Sequence, residues 1–319
     1  MRGLSSFFVI MMIFVLDPIR RSIKTGSIFA ILAALGFSFK AIFVKLSYAA
    51  GPVDAITLLA LRMIMALPLF IWILWVSRRE ANTPLTSSHL MRILMLGMFG
   101  YYLASLFDFQ GLNYLSAGLE RLILFTYPTI VLLIQAFLLR ERPTRRTLAA
   151  MALCYLGLCI AFVHDLSGSD VGGNLITGAL WVFGSAVAYA IYYSGTAAIL
   201  KHVTSLHLAG LAGTFSSLMV LTHFVIVADL SQLSQLPLSV FVNSALMAFF
   251  STVLPIYWLA LAIQRMGATQ TAALGNLGPV LTMAASWVIL NEAITAYQVA
   301  GMALVLFGVS RLKPTKKSH

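Results

Sequence analysis

Charge is what this chain has least of. Only 10% of its 319 residues are Asp, Glu, Lys or Arg, whereas a water-soluble domain carries charge on about a quarter of its positions. With 60% hydrophobic residues and a mean hydropathy of +0.94, the deficit excludes a soluble globular protein and leaves a polytopic membrane protein. Acids are scarcer still, 10 against 21 Lys and Arg. A net charge of +11 could signal nucleic-acid binding, but most of the basic residues fall in short links between apolar runs, so no nucleic-acid partner is implied. There are two cysteines, Cys154 and Cys159, both inside one apolar run and five residues apart. On a helix that spacing points them to different faces, which excludes a disulfide framework or a cysteine metal site. Also absent are a nucleophile–base pair, a metal-ligand cluster and a nucleotide-binding loop, so neither an enzyme nor an ATP-driven pump is indicated, and no cofactor is called for. His223 stands without a second histidine or carboxylate at ligand spacing and makes no metal site.

What is present is a repeat. The stretch from Leu112 to Thr144 returns from Ile263 to Thr295, with Ala117, Pro128, Glu141 and Thr144 matched by Ala268, Pro279, Glu292 and Thr295 at one interval of 151 residues (279 − 128). The register continues through Met151 and Met302, Ala152 and Ala303, and Gly157 and Gly308. The chain therefore reads as an N-terminal apolar and basic extension (1–23), two copies of one five-helix unit (24–164 and 174–313) and a basic tail (314–319). In the extension, the run Ser5 to Leu16 is too short to span and is stopped by Asp17-Pro18. It reads as an interfacial helix or an extension from an upstream start rather than a signal peptide.

Ten later runs are long enough to cross a bilayer: about 26–48, 55–76, 90–111, 113–138, 147–164, 174–199, 206–228, 240–262, 268–290 and 296–312. Links bearing Arg20, Arg21 and Lys24, Arg78 and Arg79, Arg140 to Arg146, Lys201, Arg265, and Arg311 to Lys317 alternate with links that hold no Lys or Arg. The second set carries only acids: Asp54, Asp165, Asp229, Glu292 and their surroundings. The basic links are expected in the cytoplasm, with both termini there. Five spans per unit is an odd number, so the second unit must be inverted relative to the first. Inverted units point to a transporter whose site lies between them near the bilayer midplane. The fold class expected is thus an all-α membrane protein of ten transmembrane helices in two inverted five-helix repeats.

Pro128 and Pro279 fall mid-span. There a proline removes one helical hydrogen bond and frees the carbonyls of Leu124 and Gly275, so Pro128, Pro279 and Gly275 are candidates for helix breaks lining a cavity. Ala33, Gly36, Gly184, Ala188, Ala272 and Gly275 offer small faces for close helix approach.

The repeated small residue, mid-span proline and Glu-Arg-Pro-Thr or Glu-Ala-Ile-Thr pattern, with Arg62 in the second span and a Gly-rich sixth span from Gly178, resembles the ten-helix EamA-type branch of the drug/metabolite transporter superfamily. The resemblance covers nearly the whole chain after the N-terminal run. It implies an inner-membrane exporter of small metabolites, some members handling amino acids, and says little about substrate.

Substrate chemistry is sought where the first unit departs from the plain pattern, in its buried charges Lys40, Asp108, Glu120 and Arg121. A charge deep in a span costs about 3 kcal/mol, so each needs a partner or a task. At about 1.5 Å per residue, Lys40, Arg62, Glu120 and Arg121 share a layer about 10–12 Å from the outer end. Glu120 is expected to be the counter-charge of Arg62, and Asp108 to pair with Lys45 nearer the surface. One carboxylate cannot neutralise Lys40, Arg62 and Arg121, so the layer keeps an excess of positive charge suited to an anion. The second unit offers Trp181, Tyr189, Tyr192, Tyr193, Tyr257, Trp258, Gln270 and Asn276 instead. Of these Tyr189, Tyr193 and Asn276 are the candidate ligands, because their hydroxyl and amide groups need partners at mid-depth.

Together these features favour a secondary transporter exporting a small metabolite, most plausibly an amino acid or related carboxylate-bearing compound. The alternatives are a carrier of cationic or neutral drug-like compounds and a non-transporting structural or sensor protein. Its partners are then the small substrate and the lipid bilayer, with homodimerisation left open. For the topology, a cysteine introduced at Ser169 is expected to react with a membrane-impermeant reagent applied from outside, and one at Ser318 to stay unlabelled. The reverse pattern would overturn both the orientation and the inversion.

Overall fold

The computed structural model describes residues 23–77, 85–139, 145–167, 172–227, 230–275 and 277–311, and helix is the regular structure throughout them. The N-terminal extension, the C-terminal tail, Glu141 and Asn276 lie outside the described residues. In order, the helices are α1 (Ile23–Ala50), α2 (Ala55–Ser77), α3 (Ser87–Gly97), α4 (Ala104–Leu112), α5 (Ala117–Leu124), α6 (Tyr127–Leu139), α7 (Arg145–Ser167), α8 (Gly172–Ile199), α9 (Ser205–Val227), α10 (Leu238–Ala248), α11 (Leu254–Gly275), α12 (Leu277–Leu290) and α13 (Ala296–Arg311). Among the described residues, seven helical stretches are long and apolar enough to cross a membrane, and three shorter apolar helices, Leu148–Ala161, Leu277–Leu290 and Ala296–Gly308, complete ten. Large apolar side chains such as Phe137, Leu180, Val225, Ile226 and Trp287 stand exposed on the outside, as a lipid-facing surface requires.

The first proline-bearing span is broken. Helix α5 ends at Leu124, Phe125 and Thr126 make a turn in which the Thr126 N–H donates to the Ile123 carbonyl at 3.0 Å, and α6 starts at Tyr127 just before Pro128. In the second unit the described residues are helical up to Gly275 and again from Leu277, ahead of Pro279. The two units differ at the entry to these spans. Residues 113–116 form a non-helical link ended by Ser116, whose hydroxyl accepts the Leu119 N–H at 3.2 Å, whereas α11 runs without a break through the equivalent stretch. Ser116 is matched by Gly267, which has no side chain to cap a new helix.

Two further segments match across the repeat. Met98–Leu103 and Phe249–Val253 are π-helical, their starts 151 residues apart (249 − 98), each joining two α-helices into one span. Single π turns inside α-helices are rare and often mark functional positions.

The inversion is written most clearly where α7 crosses α13. Under the 151-residue interval Ala150 corresponds to Gly301, Cys154 to Val305 and Gly157 to Gly308. A Cβ on Gly157 would meet the Gly301 carbonyl oxygen at 2.5 Å, and one on Gly308 would meet the Ala150 oxygen at 2.8 Å, which is the same contact seen from the other unit. Between them the Cys154 thiol donates to the Val305 carbonyl at 3.6 Å, a contact that maps onto itself and so marks the pseudo-twofold axis. Close backbone approach is how helices associate where lipid offers no hydrophobic drive. Gly157→Leu is therefore expected to cost about 2 kcal/mol of packing strain and to lower the melting temperature of detergent-purified protein, while lipid-facing Leu156→Ala leaves it nearly unchanged. Equal melting temperatures for the two variants would remove this crossing from the account.

Candidate functional site

A cavity of about 100 Å³ lies between the two units. That is several times the space one water needs, enough for a small solute. It is lined from both halves: Lys40 on α1, Arg62 on α2, Gly100 and Tyr101 on the first π segment, Arg121 and Leu124 on α5, Tyr127 on α6, Tyr189, Tyr192 and Tyr193 on α8, Ser251 and Thr252 on the second π segment, Gly275 on α11 and Pro279 on α12.

One wall is cationic. Lys40, Arg62 and Arg121 face the cavity, and the acids stand behind them: Asp108 and Glu120 are fully buried and are not among the lining residues. The pairing differs from the expectation. Asp108 binds Lys40, not Lys45, with Nζ 2.7 Å from Oδ2. Lys45 is taken by the end of α4, donating to the carbonyls of Leu115 at 3.1 Å and Leu112 at 3.5 Å, where a helix C-terminus favours a cation. Glu120 is not the partner of Arg62. Its neighbours are Arg121, Nε 3.7 Å from Oε2, and the carboxyl of Asp108 within hydrogen-bonding reach. The Arg62 guanidinium lies instead over the Phe109 ring, 4.9 Å from its centroid, where a flat, weakly hydrated cation is offset by π electrons, with the charge of Asp108 also acting on it. Arg121 is fixed by its terminal nitrogen, which donates to the Phe37 carbonyl at 2.9 Å. That carbonyl sits one residue before Ser38, whose hydroxyl is shared between the carbonyls of Ala34, at 2.7 Å, and of Gly278 on α12, at 3.0 Å, so the cationic wall is braced against the other unit.

The opposite wall is tyrosine. The rings of Tyr127, Tyr189 and Tyr193 lie 5.0–5.2 Å apart pairwise, and Tyr101 and Tyr192 share a hydroxyl–hydroxyl hydrogen bond of 2.9 Å. Tyr189 and Tyr193 both line the cavity. Tyr127 and Tyr101 come from the first unit and were not anticipated, although Tyr127 abuts Pro128 at the break. Pro279 and Gly275 line the cavity. Pro128 is half-buried and is not among the lining residues, so the first break reaches the cavity through Leu124 and Tyr127. Trp181 is partly exposed against Phe107 at 5.4 Å. His223 accepts or donates one hydrogen bond at 2.9 Å with Tyr102. Among the described residues no group of three potential metal ligands occurs.

A model of the EamA-like transporter family matches residues 24–163 and again 176–312. The chain belongs to the EamA-like transporter family. It is 27% identical over 299 residues to an uncharacterized transporter, YcbK, of Bacillus subtilis, covering 93% of this chain and 95% of that protein. It is 25% identical over 202 residues to a probable amino-acid metabolite efflux pump of Salmonella typhimurium, covering 60% of this chain and 66% of the pump. A solved structure titled only as the crystal structure of a protein superposes with a TM-score of 0.65 at 16% identity, over 91% of this chain and 96% of that one, and supports the fold.

In this EamA-like transporter the repeated Glu has a structural task that its sequence signature did not disclose. Asn291, at a positive φ of 53°, ends α12, and the next residue, Glu292, accepts the Ala117 N–H at 3.1 and 3.2 Å. A carboxylate on a helix N-terminus is favoured by the orphan N–H groups and the helix dipole. The second unit thereby ties down the start of α5, the helix that carries Glu120 and Arg121. Glu292→Gln is expected to weaken this tie by about 1 kcal/mol, read as a lower melting temperature together with faster thiol labelling of a cysteine introduced at Asn113. Unchanged labelling would show that the tie does not hold this end closed.

Proposed function

We propose that this transporter is a secondary exporter of a small metabolite bearing a carboxylate, an amino acid or a close relative, working by alternating access between the two repeats in the inner membrane with both termini cytoplasmic. The observation that carries the reading is the asymmetry of the cavity: three cationic side chains on its surface, their two acids withdrawn behind it, and tyrosines opposite. Cationic groups facing a low-dielectric cavity are costly unless an anion visits, and a wall of aromatic rings with hydroxyl edges suits an apolar body with a polar end. Lys40 is placed to hold the carboxylate, with Arg62 and Arg121 biasing the field. The relative described as a probable amino-acid metabolite efflux pump supports the same substrate class. The helix break at 125–126 supplies the backbone irregularity that transporters keep at their sites.

Thermal-shift measurements with the twenty L-amino acids and their carboxamides provide the test. At least one amino acid at saturating concentration is expected to stabilise the protein, by about 2.7 kcal/mol at a hundredfold excess over Kd, and its amide not to. Lys40→Gln is expected to lose that shift and to abolish transport in proteoliposomes, with the apo protein still folded but melting at a lower temperature because Asp108 loses its contact cation. Equal binding of acid and amide, or an intact shift in Lys40→Gln, would overturn the reading.

A further inference from the structure

Asp108 and Glu120 form the least ordinary contact in the molecule. Both are entirely buried, on successive helices α4 and α5, and their carboxyl groups lie within hydrogen-bonding reach of each other. Asp108 has the Lys40 ammonium at 2.7 Å. Neither oxygen of Glu120 receives an N–H or a hydroxyl. Arg121 lies beside it, but at 3.7 Å its Nε is too far to donate, and one of its terminal nitrogens is committed to Phe37. Of the other groups facing the pair, Arg62, from α2, covers Phe109 and attracts Asp108 through space, its Nε making no hydrogen bond; Lys45, from α1, caps α4; and the hydroxyl of Tyr48, from α1, donates to the Phe109 carbonyl at 2.9 Å. The Asp108 oxygens, like those of Glu120, lack a directed hydrogen bond, the Lys40 contact being an ion pair. Two carboxylates in contact without donors repel in a dry site; a proton between them removes the repulsion and supplies a missing hydrogen bond.

We propose that the Asp108–Glu120 pair is a proton-binding site, and that Lys40 couples it to the substrate. The first part stands on the pair alone; the coupling rests on the anionic-substrate reading above. Lys40 is shared, for it faces the cavity and at the same time compensates the internal pair. In the empty site the pair holds one proton, carries one negative charge, and is balanced by the ammonium. When a substrate carboxylate draws Lys40 toward the cavity, the pair loses its contact cation and takes a second proton from cavity water, becoming neutral. When the substrate leaves, the ammonium returns and that proton goes back to water. One proton is bound per anion, and by reciprocity protonation of the pair favours anion binding. Charge and protons balance without any further reactant.

The experiment is infrared difference spectroscopy of the full-length purified protein, reading the carboxylic-acid C=O stretch at neutral pH with no substrate added. Wild-type protein is expected to show one protonated buried carboxyl. Asp108→Asn and Glu120→Gln each leave a single carboxylate facing Lys40, so the band should be lost in both; either variant suffices if the other fails to fold. Lys40→Gln imitates withdrawal of the ammonium and should roughly double the band. A wild-type spectrum without the band, or one unchanged in whichever of the Asp108→Asn and Glu120→Gln variants folds, would overturn the proton site. A Lys40→Gln spectrum identical to wild type would overturn the coupling. Since no substrate enters the measurement, failure of the amino-acid reading and failure of this one are distinguishable.

Discussion

An ammonium 2.7 Å from a fully buried aspartate is the contact on which the rest of the site depends. Without Lys40, Asp108 would lose its contact cation in a helix bundle, which is costly even with Arg121 and Arg62 near; without Asp108, Lys40 would keep only Glu120 behind it. Because the pair spans α1 and α4, it fixes where the first helix meets the third span, and Arg121 and Ser38 extend that fixation to α5 and to Gly278 of α12. The cationic surface is therefore tolerated because its acids lie one layer back.

The second constraint is symmetry. Each mid-span proline, each π segment and each Glu of the repeated pattern exists twice, yet the chemistry is one-sided: the charges belong to the first unit and most of the tyrosines to the second. Duplication supplies two equivalent scaffolds. Divergence between the copies supplies a site with a charged wall and an aromatic wall, which a perfect repeat could not have. The Glu292 contact at Ala117 shows the second unit holding the first, its carboxylate at the other's helix start.

Much of this was legible in the sequence. Ten spans, two inverted units and a break at the first proline follow from hydropathy, charge asymmetry and a fixed interval, all of which are one-dimensional signals. The sequence singled out the buried charges because a Lys or Arg in a span announces its cost, but it set Asp108 apart from Lys40, with which it pairs. Partner choice was not legible. Asp108 was assigned to Lys45 by depth alone, whereas the decision was made by the carbonyls of Leu112 and Leu115, which compete for Lys45 and have no signature in residue type. Arg62 went to Phe109 for a similar reason: an aromatic ring one residue from the acid is indistinguishable in the sequence from ordinary packing. The π segments were invisible because a π turn changes hydrogen-bond register without changing composition. Of the candidate ligands, Asn276 falls outside the described residues and Pro128 stands beside the cavity rather than on it.

The crossing of α7 and α13 carries a consequence for how such a chain came to be one polypeptide. A residue on a twofold axis faces its own copy, so in a dimer of two identical first halves Cys154 would meet Cys154, two thiols in mutual contact. In a dimer of second halves the same place would hold two valines. Fusion allowed the two occupants of the axis to become different, and here the thiol of one half finds the backbone carbonyl at Val305 of the other. A position that in separate subunits must suit itself became, in a single chain, a position that need only suit its neighbour.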